Sequence, residues 1–168
     1  MYSGASITGP TIGVLVGGYV TTTCVGGYTN RKALYLCFLV SLCASASCLP
    51  VPLMNNILGV IIFLWLVLFF GGFIMPNLTG ILLNSVPSKE WAIANSVANF
   101  FYNLFGYLPA PFLYGLIVDL TPKIEDGVNK SRWGMIVLMY SSIIGVLSLS
   151  LALILRDLSK KNAKIYLK

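Results

Sequence analysis

The chain contains no histidine, and only five of its 168 residues are acidic. It therefore lacks the side chain that most often shuttles protons near neutral pH and most often binds metals. The acids all lie at the ends of the apolar segments or outside them: Glu90, Asp119, Glu125, Asp126 and Asp157. An ionisable residue inside a membrane span would point to a proton path. Its absence disfavours both a membrane enzyme and proton coupling through this chain.

Recognisable cofactor and metal motifs are also missing. The four cysteines, Cys24, Cys37, Cys43 and Cys48, form no CxxC pair, and three of them fall in one apolar segment. They are typical of small buried residues and not of a zinc site or a disulfide framework. A glycine-rich phosphate loop ending in Lys-Ser or Lys-Thr is absent as well. We expect no cofactor, and we predict that the chain is not an enzyme.

Charge is scarce too, at 10% of residues, whereas 57% are hydrophobic. The net charge of +6 comes from basic residues between the apolar segments and at the C-terminus. They form no basic stripe with interleaved aromatic residues, so we expect no nucleic acid partner.

Five long apolar runs dominate what is present. They cover roughly residues 5–25, 33–53, 57–84, 92–118 and 133–155. Each reaches the length of about 20 residues that a helix needs to cross a bilayer, and none alternates as a barrel strand does. The sequence predicts an all-α membrane protein with about five transmembrane helices in residues 1–158. Residues 159–168 would form a basic cytoplasmic tail.

The cations between the runs predict an orientation. The first and third breaks and the C-terminal tail carry two, one and five cations, against none and three in the second and fourth breaks. The positive-inside rule then places the C-terminus in the cytoplasm. An odd number of spans places the N-terminus on the opposite face, although no cation flanks the first run to orient it. We therefore expect the chain to be a truncated piece of a longer protein.

Glycine recurs every fourth residue in the first run, at Gly9, Gly13 and Gly17. This spacing keeps the small residues on one helix face and lets another backbone approach closely. Static close packing and a sliding contact between helices explain the pattern equally well.

The third run contains Gly71, Gly72 and Pro76, followed by Asn77. Proline removes a backbone donor and clashes one turn back, so we expect a kink near Gly72. The kink would either let this span bend beside a cavity or only improve packing. Asn77 is the strongest candidate for a cavity contact.

The fourth run carries a polar stripe, at Asn95, Asn99 and Asn103. Because a buried amide without partners costs a few kcal/mol, the stripe should face other helices or water rather than lipid. Interhelical bonding and contact with a substrate both remain open. Two prolines break the same run, and two tyrosines could contact an amphipathic ligand or simply pack in the interior: Pro109, Pro111, Tyr102 and Tyr107.

Two stretches resemble the C-terminal half of major facilitator superfamily transporters, of the spinster-like or organic-anion-transporter-like branch. Residues 17–27 with Arg31 and Lys32 look like the loop after the eighth span, and residues 106–119 are similar to the end of the eleventh. The five runs would then correspond to spans 8–12 of twelve, part of a six-helix bundle. At Thr22 and Thr23 the chain lacks the acidic and basic pair that the family's loop usually carries.

The resemblance implies transport of a small organic or lipid-like molecule by alternating access. It implies as partners the lipid bilayer and a missing N-terminal half, which the glycine face and the asparagine stripe would contact. The alternative is a non-transporting membrane scaffold or accessory subunit.

Overall fold

A computed structural model describes residues 2–28, 31–54, 56–120 and 127–166, and these contain helices and no strand. The α-helices are α1 (Tyr2–Thr23), α2 (Arg31–Cys48), α3 (Ile57–Leu83), α4 (Trp91–Tyr102), α5 (Pro109–Leu120), α6 (Gly127–Tyr140) and α7 (Ser142–Tyr166). Two short 3₁₀ turns precede α3 and α4, and a π-helical segment, Asn103–Tyr107, joins α4 to α5. The predicted all-α class is confirmed.

Four segments of the described chain are long and apolar enough to cross a membrane: Lys32–Leu53, Ile57–Leu83, Ser88–Leu120 and Arg132–Leu155. They match four of the five predicted spans and indicate a multi-pass membrane protein. The remaining prediction, the first run, is also a helix, of 22 residues. It is not among the four candidate spans, and glycine and threonine interrupt its aliphatic residues.

Local sequence explains where the helices begin and end. After α1 the chain turns through Gly26 and Gly27, whose φ values of 76° and 101° lie in the region that favours glycine. Before α3, the Asn56 side chain accepts a hydrogen bond from the Leu58 backbone N–H at 3.1 Å. This contact satisfies one of the free donors at the helix start.

The closest packing in the described chain is between α1 and α3, which run parallel. Gly13 lies against Phe69, Gly17 against Phe73, and Thr21 bonds to Asn77, 56 residues further along the chain. The two earlier pairs have the same separation in sequence. Both helices therefore meet through residues spaced by four, which places one face of each continuously against the other.

This contact depends on the missing side chains of the glycines. A Cβ atom at Gly13 would overlap the Phe69 carbonyl oxygen, and one at Gly17 would lie 2.5 Å from the carbonyl oxygen of Phe73. The glycine face, including Gly9 against Trp65 and Leu68, is thus used inside the chain. The expectation that it contacts a missing half is wrong, because α3 already fills that face.

The third run forms one helix, α3. The helix continues from Ile57 to Leu83 through Gly71, Gly72 and Pro76. Gly72 is buried against α1, and a Cβ atom there would lie 2.5 Å from the Pro10 carbonyl oxygen. Gly71, by contrast, faces open space. Gly72 therefore makes room for α1, which accounts for it without a bend at a cavity.

The second helix, α2, contributes many of the buried residues of the described chain. Its span is the most buried of the four. Ala33 and Cys37 are fully buried and Ser41 is buried one turn later, on the side where α2 packs against α3 and α7. These small residues also recur every fourth position, so α2 does not have the character of an outer, lipid-facing helix.

The last apolar run is divided at Ser141, between α6 and α7. α7 then continues without a break across the predicted boundary at residues 158 and 159 to Tyr166. Lys123, Glu125, Asp126 and Lys168, which enter the charge prediction, lie outside the described residues.

Replacing Gly13 with alanine should lower the free energy of unfolding by about 1–3 kcal/mol, because the added methyl group forces α1 away from α3. Denaturant titration in mixed micelles measures this change. The matched control is Gly18→Ala, since a Cβ at Gly18 meets no atom within 4 Å. Equal stability of the two variants would contradict the close packing described for this face.

Candidate functional site

The polar residues that sequence analysis singles out separate into two groups. Asn77 lies buried between α1 and α3, whereas Asn95, Asn99 and Asn103 are exposed along α4 and the first position of the π-helical segment. The structure does not bring the two groups together in one site.

Asn77 is fully buried, and so is its partner Thr21. The Thr21 hydroxyl donates to Asn77 Oδ1 at 2.5 Å, and Asn77 Nδ2 donates to the Phe73 carbonyl oxygen at 3.0 Å. The amide thus has a donor and an acceptor partner within protein, as a buried polar group requires. The prediction of a cavity contact is wrong, because the register of α1 and α3 directs this side chain toward Thr21.

Thr21 is a residue that sequence reasoning missed. It continues the repeat of Gly9, Gly13 and Gly17 at the next position of the same helix face. The pattern was therefore available, but a search for small residues alone ends at Gly17. Thr22 and Thr23 differ from it, since their hydroxyls donate to carbonyl oxygens of α1 itself.

The stripe on α4 is the opposite case. Asn95, Asn99 and Asn103 are all exposed, and no residue of α4 is buried. Asn103 Nδ2 donates to the Asn99 carbonyl oxygen at 2.8 Å. Within the described part of the chain, the side-chain amides of Asn95 and Asn99 have no hydrogen-bond partner.

The other face of α4 is apolar and borders α3. A groove of about 410 Å³ lies there, lined by Leu82, Glu90, Ile93, Ala94, Val97, Ala98 and Phe101. At 100° per residue, Ile93, Val97 and Phe101 fall opposite the three asparagines. The polar face therefore points away from the rest of the described chain.

The helix of the fourth run is irregular just before its prolines, where Asn103–Tyr107 form a π-helical segment. The Leu108 backbone N–H donates to the Asn103 carbonyl oxygen at 2.9 Å, five residues back. Pro109 follows at once as the first residue of α5, half-buried, and Pro111 is exposed. Segments of this kind are rare and frequently occur at functional sites.

The tyrosines give little support to a ligand site. Tyr102 is half-buried beside the π-helical segment. The side chain of Tyr107 lies outside what the structure describes. Instead, Tyr114 packs its ring against α6, where a Cβ at Gly134 would lie 2.7 Å from the ring.

A second cavity, which the sequence did not predict, lies between α1, α3 and α6. It has a volume of about 270 Å³ and is lined by Ser6, Ile61, Leu64, Trp65, Val67, Leu68 and Met139. Beside it, the Trp65 indole N–H donates to the Thr8 hydroxyl at 3.1 Å. The lining is almost wholly apolar, so the cavity offers few groups that would orient a polar ligand.

The described residues contain no group of three or more cysteine, aspartate or glutamate side chains that could hold a metal ion. The arrangement on α4 can donate and accept hydrogen bonds, and it carries no charge of its own.

No protein-family model matches the chain, and neither a curated protein nor a solved structure is detectably similar to it.

Asn77→Ala and Thr21→Val should be coupled by about 0.6–1.7 kcal/mol in a double-mutant cycle, the range measured for interhelical hydrogen bonds in membranes. Unfolding titrations of the two single variants and the double variant provide the measurement. Thr22→Val combined with Asn77→Ala is the control and should show additive effects, because Thr22 bonds only within its own helix. Additive effects for Thr21 as well would show that the buried pair contributes nothing.

Proposed function

We propose that this chain is the C-terminal part of a secondary transporter of the major facilitator type. It would move a small organic or lipid-like solute by alternating access, in which two helical bundles rock about a central site. The observation that carries the proposal is the row of exposed amides on α4, in a segment long and apolar enough to span a membrane.

The physical reason is the environment that these amides require. Transferring an amide into an apolar medium without a partner costs a few kcal/mol. Acyl chains offer no hydrogen bonds, so Asn95 and Asn99 need either a protein neighbour or water. A water-filled pathway between this bundle and a second one supplies that water, and the uncharged amides would then contact the solute.

The remaining helices fit a supporting role in this proposal. In the resemblance to spans 8–12, α1 corresponds to the eighth span, α3 to the tenth, and α4 with α5 to the eleventh. The locked pair of α1 and α3 gives the bundle a rigid side, and α4 supplies the polar lining of the pathway. The half-buried Tyr102 would lie at the end of that lining.

A non-transporting scaffold or accessory subunit is the second candidate. The observation that favours it is the fixed packing of the glycine face and of Asn77, since both engage a neighbour in the same chain. In a scaffold, the α4 stripe would be covered permanently by helices of a partner protein.

Water access to the stripe distinguishes the two candidates. In a cysteine-free background, Asn99→Cys in the full-length protein should react with a charged, membrane-impermeant thiol reagent applied from either side of the membrane. Reaction from both sides is expected only if the site opens alternately to each. The labelling rate should exceed that of the control Val97→Cys at least tenfold, because Val97 is also exposed but lies on the apolar face.

Asn77→Cys provides a second control and should stay unlabelled, since residue 77 is fully buried. If Asn99→Cys is labelled from neither side, the transport proposal fails and the scaffold is favoured. If Asn99→Cys and Val97→Cys are labelled equally, the polar and apolar faces of α4 do not differ in their access to water.

The proposed orientation places the C-terminus in the cytoplasm. Leu53→Cys, at an exposed position between α2 and α3, should then be labelled in intact cells that display the protein. Ser88→Cys, at the exposed turn before α4, should require permeabilisation. The reverse result would invert the topology.

A further inference from the structure

Three helical stretches of the described chain contain a helix-disrupting feature: Pro10 in α1, Pro76 in α3, and the π-helical segment between α4 and α5. α3 carries Gly71, Gly72 and Pro76, whereas α4 and α5 are joined by the π-helical segment Asn103–Tyr107. In each case a proline removes a backbone donor, so the sequence alone does not show which of these sites can bend. The packing around each site distinguishes them.

In α3, residues on both sides of the proline are fixed to α1. Before it, Gly72 lies against the Pro10 backbone and Phe73 is buried. After it, Asn77 is fully buried and bonded to Thr21. A bend at Pro76 would have to break the hydrogen bond or separate the two backbones.

The π-helical segment has no such restraint. Asn103, Leu104, Phe105 and Gly106 are all exposed, and a Cβ at Gly106 would meet no atom within 4 Å. Pro109 lies two residues after the segment and removes a donor that the preceding turn would otherwise use. Few contacts and exposed backbone are the features of a segment that opens easily.

The helices on either side of this segment have different neighbours. Neither α4 nor α5 has a buried residue, but α4 lies beside α3 with an open groove between their apolar faces. α5 packs against α6, where the Tyr114 ring covers Gly134. The segment therefore joins a helix that borders an open groove to a helix that packs against α6.

We infer that the π-helical segment Asn103–Tyr107 is a hinge about which α4 swings relative to α5, while α1 and α3 move as one rigid unit. The motion would carry Asn95 and Asn99 toward or away from α3 and change the width of the groove between the two helices. The hinge is a property of the chain itself and goes beyond the proposed transport, because it does not depend on any solute.

Distances between pairs of spin labels test this inference. In the full chain, reconstituted in lipid nanodiscs without native cysteines, one pair is placed at Ile93 and Leu116, on either side of the π-helical segment. The matched pair is at Ile62 and Ser85, on either side of Pro76. All four positions are exposed, and each pair is 23 residues apart, about 35 Å along a straight helix.

Pulsed electron paramagnetic resonance should give a distance distribution at least twice as broad for Ile93 and Leu116 as for Ile62 and Ser85. Replacing both Pro109 and Pro111 with alanine should narrow the first distribution at least twofold, because two helical donors are restored. Pro76→Ala should leave the second distribution unchanged.

Equal widths for the two unmodified pairs, or a broader distribution across Pro76, would overturn the hinge. That comparison stands even if the double proline variant does not fold. It is also independent of labelling at Asn99, so a failed hinge and a failed transport proposal produce different results.

Discussion

A hydrocarbon interior offers no hydrogen bonds, so each polar side chain in a span must be satisfied by protein or by water. The asparagines of this chain differ in whether the described residues satisfy that requirement. Asn77 is enclosed between α1 and α3 and bonded to Thr21 and to the Phe73 carbonyl oxygen. The amides of Asn95 and Asn99 find no partner in the described part of the chain. The first arrangement explains how α1 and α3 pack. The second leaves two amides that need water or another protein as a hydrogen-bond partner.

The glycines and the buried pair belong to one arrangement. Gly13 and Gly17 let the α1 backbone reach Phe69 and Phe73, and this approach brings Thr21 within bonding distance of Asn77. A larger residue at either glycine would separate the backbones and leave the amide without its donor. Shape complementarity and hydrogen bonding thus depend on the same four-residue repeat, which makes this pair of helices the rigid part of the chain.

The all-α class, four apolar spans and the irregular helix near Pro109 follow from the sequence, because length, composition and proline act locally. The sequence does not show, however, which neighbour each helix face packs against. Spacing by four shows that Gly9, Gly13 and Gly17 share a face, but it cannot tell whether α3 or another protein covers it. For the same reason the sequence alone does not pair Asn77 with Thr21, which lies 56 residues earlier in the chain. The sequence does not predict the burial of Ala33 on α2, because a small residue without a polar group gives no separate sign of burial.

The modest apolar character of α1 has a consequence for biogenesis. Insertion by the translocon is governed by the summed hydrophobicity of each segment as it emerges. Glycine and threonine weaken that sum in α1, while α3, synthesised later, is the most apolar of the long helices. Association with other helices in the bilayer must then keep α1 in the membrane, because its own hydrophobicity favours insertion only weakly. The glycines that lower the tendency of α1 to insert are the same residues that let it pack closely against α3 once both helices have been synthesised.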